Sequence, residues 1–303
     1  LFRNATNDKT ERQGSDMIDL HTHSTCSDGT RTPEELIALA VEAGLEAIAL
    51  TDHDTVSGIK RFLAAAEGLP IRAVSGVELS SFLHSKEVHV VGLFLNPDTP
   101  ELLAMLEEQR RCRAARNDAI LAKLREKGYE ITREEVLEKA RGESVGRPHI
   151  AAVLVEKGYF RTLQEVFVRL IGRGASCCVN RIYPTPERCI AAIHAARGLA
   201  VWAHPLTSAS SASSTMRKIG KTLAGQGIDA LECYYSSFTE KQTADALAFA
   251  EKTGLGVSGG SDYHGEAHKG IEIGTGGGNL RIPYSTYEKL YERWKERFHD
   301  AGQ

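Results

Sequence analysis

Histidines and acids recur in short bursts along this chain. Asp19-Leu20-His21-Thr22-His23 places two imidazoles two residues apart. Residues at that spacing point the same way in an extended strand, so His21 and His23 can grip one ion together. Asp28 follows in the loop 24–30, and later bursts read Thr51-Asp52-His53-Asp54, Gly76-Val77-Glu78, Ala203-His204-Pro205 and Ser261-Asp262-Tyr263-His264. Mixed imidazole and carboxylate donors suit divalent transition ions such as Mn, Fe or Zn. Clustered ions of that kind activate water and clamp phosphoryl oxygens, so the chemistry to expect is metal-assisted hydrolysis. Asp19, Asp52 and Asp54 stand beside these donors and read equally as core, caps or partners of an imidazole N–H. His84, His194, His268 and His299 read as structural.

The elements that must carry these residues follow from apolar patterning. Strands are predicted at 18–20, 47–50, 71–77, 88–95, 199–203, 228–232 and 255–258. Five of them deliver a His, Asp or Glu at the C-terminal end, where parallel α/β barrels assemble their sites. His89, near the start of its strand, fits that rule less cleanly. Thr32-Pro33-Glu34-Glu35 and Thr132-Arg133-Glu134-Glu135 are capping boxes that open helices. Between about 97 and 172 the pattern is almost purely helical, with balanced charges that read as solvated helix faces. The alternation of strands and helices argues for parallel strands, in a barrel or an open doubly wound sheet, interrupted by a helical insert. The segmentation is a leader or appended sequence at 1–16, a discontinuous barrel at 17–96 and 173–290, the insert at 97–172, and a C-terminal tail at 291–303.

Bulk properties narrow the function classes. With 303 residues, 42% of them hydrophobic, the chain can bury a large core, as one barrel-sized domain or two smaller ones. A net charge of -3 supplies no global basic field for long nucleic acid. The six cysteines form no CxxC pair, which suggests reduced thiols and a cytoplasmic protein. No apolar run is long enough to span a bilayer, and residues 1–16 lack the apolar stretch of a signal peptide.

The segment from Asp19 to Thr30, reading DLHTHSTCSDGT, resembles the opening motif of the polymerase-and-histidinol-phosphatase (PHP) family. Thr51-Asp52-His53-Asp54, Gly76-Val77-Glu78 and Asp262-Tyr263-His264 resemble its later motifs, in the right order. The helical insert and Gly146-Arg147-Pro148-His149 are similar to the small stand-alone branch, nucleoside 3′,5′-bisphosphate phosphatases and 5′-to-3′ exoribonucleases. The resemblance implies a distorted (β/α)7 barrel with an inserted small helical subdomain and two or three divalent ions. It further implies that His21, His23, Glu78 and Asp262 bind the first ion. Glu78 would bridge to a second held with His89 and His149, and Asp28, His53 and His264 would hold a third. His204 matches a family position that is either a ligand or a phosphate contact. The chain departs from relatives at Ser176-Cys177-Cys178-Val179, a stretch expected to border the substrate pocket.

The expected reaction is attack on phosphorus by a hydroxide shared between two ions. No Ser/His/Asp or Cys/His arrangement competes with it. Arg147, just before a helix whose first turn holds Pro148, is the first candidate for a substrate phosphate, and Arg173 the second. His204 is a candidate general acid. Tyr234, Tyr235 and Phe238 could stack a base, or simply pack the rim. The leading function is hydrolysis of nucleotide phosphomonoesters, such as 3′,5′-bisphosphates, extending to short RNA 5′ ends. Histidinol-phosphate phosphatase, amide or lactone hydrolysis, and a non-catalytic metal-stabilised binding module are the alternatives. No membrane and no obligate protein partner are expected.

Overall fold

Seven strands follow one another around a single sheet in sequence order. They are β1 (Ile18–Thr22), β2 (Ala47–Leu50), β3 (Arg72–Leu83), β4 (Lys86–Leu93), β5 (Leu199–Trp202), β6 (Ala230–Tyr235) and β7 (Gly256–Gly260). The computed structural model describes residues 16–84, 86–140, 144–207 and 212–298. The expected leader up to residue 15, and the tail from 299 with His299, lie outside these residues. After β7 the chain returns to β1: the His23 N–H donates to the Tyr263 carbonyl at 2.9 Å, and the Asp262 N–H to the His21 carbonyl at 2.9 Å. The sheet is thereby nearly closed into a barrel.

The strands are not all parallel. β1, β2 and β3 are parallel, as are β5, β6 and β7, but β4 is antiparallel to both of its neighbours. The reason is connection length. β3 runs on to Leu83, so only residues 84 and 85 precede β4, and His84 adopts a left-handed φ of 48°. So short a link can join only antiparallel strands. The reversal also accounts for His89. The start of a reversed strand lies at the rim where parallel strands end, and His89 pairs with Ser80 beyond Glu78.

Helices surround this sheet. Thr32 caps α1 (Pro33–Glu42) with both halves of the expected capping box, and α2 (Ile59–Ala65) follows β2. The helical segment holds α3 (Pro100–Glu126), α4 (Arg133–Ala140), α5 (Arg147–Glu156) and α6 (Leu163–Val166), the last continued by a π turn to Ile171. α3 ties this segment to the barrel. Its first half buries Leu102, Met105 and Leu106 with Val77, Val90 and Ile193, while Ile120, Leu121 and Leu124 form a separate core with Ile150, Val166 and Cys177. α7 (Pro186–Ala195), α8 (Ala212–Gly225) and α9 (Glu240–Thr253) complete the alternation. α10 (Tyr284–Phe298) packs Tyr287 and Leu290 against Leu93, Leu199 and Ala230. Residues 291–298, expected as tail, are thus ordered helix. No described helix is long and apolar enough to cross a membrane.

Closure between β7 and β1 leaves no space for a side chain at Gly260, where a Cβ would collide with the Cβ and backbone of His21. Gly260→Ala should destabilise the protein by about 3 kcal/mol, the upper end for overpacking, read by urea unfolding. Gly225→Ala, with open space around it, is the control. Equal midpoints for the two variants would refute tight closure here.

Candidate metal centre

Glu78, at the middle of β3, is fully buried among five imidazoles. Its Oε2 lies 3.3 Å from His21 Nε2, 3.3 Å from His23 Nε2 and 3.0 Å from His53 Nδ1. Its Oε1 lies 2.7 Å from His89 Nδ1 and 2.9 Å from His204 Nε2. Asp262 Oδ1 stands 3.1 Å from His23 Nε2 and 3.5 Å from His21 Nε2. Asp28 Oδ1 stands 3.3 Å from His264 Nε2.

Burial pushes the His21 imidazole down, but Glu232, Glu78 and Asp262 outweigh it and hold it well above the ordinary histidine value. Burial likewise opposes charge on His89, yet Glu78 and Glu87 lift it to about 10. In return, Glu78 and Asp28 sit well below the usual carboxylate range. Burial raises each, but His53 and His89 outweigh it for Glu78, as His53 and His264 do for Asp28. The cluster therefore demands positive charge.

The residues fit divalent ions. His21 Nε2, both nitrogens of His23, His53 Nδ1, Glu78 Oε2 and Asp28 Oδ1 are buried without hydrogen-bond partners. Each such atom costs about 1–3 kcal/mol, and a cation among them would satisfy several at once. Four groups among the described residues bring ligand atoms within 4.8 Å of one another: His21, His23, Glu78 and Asp262; His23, Asp28, His53 and His264; His53, Glu78 and His89; and Asp262, His264 and His268.

Two histidines stand differently from the sequence expectation. No group among the described residues joins His149 to Glu78 and His89; His53 takes that place. His149 lies in the first turn of α5, where its Nδ1 accepts the Gly146 N–H at 3.0 Å. His268, read as structural, groups with Asp262 and His264, its ring 4.2 Å from that of His264.

The surrounding polar groups have assigned tasks. Asp19 accepts from Ser261 N at 2.9 Å and Gly274 N at 2.8 Å, anchoring the loop after β7 to β1. Asp52 accepts from Ser24 N at 2.7 Å and Ser27 Oγ at 2.5 Å, which shapes the loop presenting Asp28. Glu232, which the sequence reading did not single out, accepts from His21 Nδ1 at 2.9 Å and from the His204 N–H at 2.6 Å. A proton held on Nδ1 leaves the Nε2 lone pair of His21 facing Glu78 and Asp262. Its only signal was an acid at the end of a predicted strand. Tyr235 donates to Asp262 Oδ2 at 2.8 Å, and its ring packs against those of His204 and Phe238. Asp54, His204 and Asp262 hold left-handed φ angles of 52°, 30° and 57°. Each costs roughly 1–3 kcal/mol, a strain typical of functional sites.

Beside the centre lies a cavity of about 200 Å³. Asp28, His53, Glu87 and His89 line it together with Arg113, Arg116, Arg147 and Arg181. Arg113 and Arg181 both donate to Asp54, and despite burial they hold its carboxyl at about 2. Arg116 donates to Asn117 Oδ1 at 2.9 Å. Burial, together with the charges of Arg113 and Arg147, pushes it down to about 9. Arg113 and Arg116 belong to α3, whose charges the sequence reading placed in solvent; both are instead largely buried. Arg173 is exposed and does not line the cavity, nor do residues 176–179, of which Cys177 is core.

Comparison with known proteins agrees with this geometry. A model of the PHP domain matches residues 19–196. The chain is 34% identical to the 5′-3′ exoribonuclease of Haemophilus influenzae, over 81% of this chain and 89% of that one. It is 32% identical to the 3′,5′-nucleoside bisphosphate phosphatase of Chromobacterium violaceum, over 85% and 90%. A solved structure from Bifidobacterium adolescentis, described there as a candidate metal-dependent phosphoesterase, superposes with a TM-score of 0.81 at 26% identity, covering 91% and 96%.

Because Glu78 belongs to two of the four groups, Glu78→Gln should lose more than one bound ion per chain by elemental analysis. Asp28→Asn, in one group, should lose no more than one. Equal losses would show that Glu78 is not shared.

Proposed function

The chain belongs to the PHP domain family and is a metal-dependent phosphoesterase; from that premise we propose that it removes the 3′-phosphate of nucleoside 3′,5′-bisphosphates and acts on short RNA 5′ ends. The observation that carries this reading is the arginine cavity sharing His53, His89 and Asp28 with the metal centre. A substrate bearing two phosphates on one ribose would place one at the metals and the other among the arginines. The two relatives named above act, by their names, on just these substrate classes.

In this reading His21, His23, Glu78 and Asp262 hold one ion, His53, Glu78 and His89 a second, and Asp28, His53 and His264, with His23 beside them, a third. Mn, Fe or Zn would suit these donors. Such ions supply activated water and withdraw charge from the phosphoryl oxygens. Arg147 and Arg116 bind the phosphate that does not react, where a guanidinium fork adds bidentate contact. His204, held by Glu232 through its backbone and aimed at Glu78, donates a proton to the leaving O3′. Histidinol phosphate fits less well, since its amino-imidazole cation would meet four guanidinium groups.

The test is phosphate or nucleotide release from adenosine 3′,5′-bisphosphate, AMP, histidinol phosphate and a short 5′-phosphorylated RNA, with Mn²⁺ or chelator. Chelator-sensitive release mainly from the bisphosphate and RNA is expected; release mainly from histidinol phosphate would overturn the reading. Arg147→Ala should raise KM for the bisphosphate about tenfold or more, the worth of a charged hydrogen bond, with kcat nearly unchanged. His204→Gln should lower kcat about 100-fold at unchanged metal content. A normal kcat would remove its role as acid.

A further inference from the structure

The start of β4 is a ridge with a cavity on each side. Glu87 and His89 line the arginine cavity, and they also line a second one of about 180 Å³. Trp202, Pro205 and Ile219 give that second cavity apolar surface, and Lys86, Thr207 and His204 give it polar groups. The two spaces meet at the metal centre. His89, common to both, and His204, in the second, each reach Glu78 Oε1, at 2.7 and 2.9 Å.

A phosphomonoester has organic substituent on one side of phosphorus only, so the arginine cavity would be enough for a bisphosphate. A phosphodiester continues on both sides. We infer that the cavity between Lys86, Trp202 and Ile219 seats the nucleotide on the 3′ side of a scissile RNA phosphodiester. The inference rests on the function proposed above and deepens its RNA part by naming where the nucleotide beyond the scissile bond sits. Size agrees: a cavity of about 150 Å³ takes benzene, so this one takes a single ribose or base. The lining also holds Lys86, a cation suited to the following phosphate, next to the carboxylate of Glu87.

The bond changes give this seat a purpose. Water oxygen joins phosphorus, the P–O3′ bond breaks, and O3′ takes a proton. The first nucleotide leaves as a 5′-monophosphate. The phosphate stays on O5′ of the nucleotide in the second cavity, which now carries the terminal group the arginines bind. Each cut therefore prepares the next.

The experiment compares kcat/KM for adenosine 3′,5′-bisphosphate, the dinucleotide pApA and a 5′-phosphorylated pentanucleotide, all with Mn²⁺. Ile219→Trp, which fills the cavity, should lower the ratio of pApA to bisphosphate activity at least tenfold. Lys86→Ala should lower the pentanucleotide more than pApA. Metal content and unfolding midpoints check that each variant is folded, and Lys86→Ala alone decides if Ile219→Trp is not. Unchanged ratios, or parallel losses on all substrates, overturn the inference. An unaltered enzyme that hydrolyses the bisphosphate but not pApA overturns it while leaving the bisphosphatase reading intact. Inactivity on every substrate overturns both.

Discussion

The buried carboxylate of Glu78 is the constraint on which this structure turns. A carboxylate removed from water costs several kcal/mol unless positive charge meets it. Five imidazoles converge on this one. They can meet it as imidazolium ions or as neutral ligands of divalent cations, but neutral imidazoles alone would leave both partners unsatisfied. The raised imidazoles of His21 and His89 express the first arrangement. The second also satisfies the lone pairs of Asp28 and His23 that find no donor within the protein. Ions and fold are coupled here, because the same contacts that bind cations close the top of the barrel.

The barrel is arranged to deliver ligands to that point. Parallel strands end together, so β1, β2 and β7 bring His21, His53 and Asp262 to one rim. β4 contributes by running backwards, which puts the beginning of a strand where its neighbours end. Around the rim, carboxylates outside the candidate ligand groups hold these side chains still: Asp19 and Asp52 through loops, Glu232 through His21 and His204. Tyr235 does the same for Asp262. Buried polar groups so fully engaged fix orientation more than they add stability.

Much of this was legible in the sequence, and the parts that were not have physical reasons. Short-range signals worked: the HxH spacing in β1, the capping box at Thr32, and acids at strand ends. They depend on periodicities of two and about four residues, which a chain carries in itself. The β3–β4 hairpin was missed because Ser80 to Leu83 continue a strand with little apolar alternation, and the reversal that explains His89 was missed with it. Arg113 and Arg116 looked like any charges on a long amphipathic helix. Only the packing of α3 across the barrel mouth turns them inward, and no local pattern encodes that. Glu232 was hidden for a similar reason, since its role lies in reaching His21, 211 residues away in the chain.

Electrostatics then bears on how a chain of net charge -3 would meet the phosphorylated substrates proposed for it. At physiological salt, charges act over about 8 Å, so the global balance matters little inside a walled cavity. Asp54 faces Arg113 and Arg181, and Asp28 and Glu87 line the same cavity, against which Arg116 and Arg147 add positive charge. The excess is confined to a space that admits one phosphate. A surface of that kind gains nothing from a long polyanion lying across it, because the field ends at the cavity wall. It favours a chain end, where a terminal phosphate can enter. The preference for ends over interiors that the proposed function requires would thus follow from where the arginines are buried, not from how many the sequence contains.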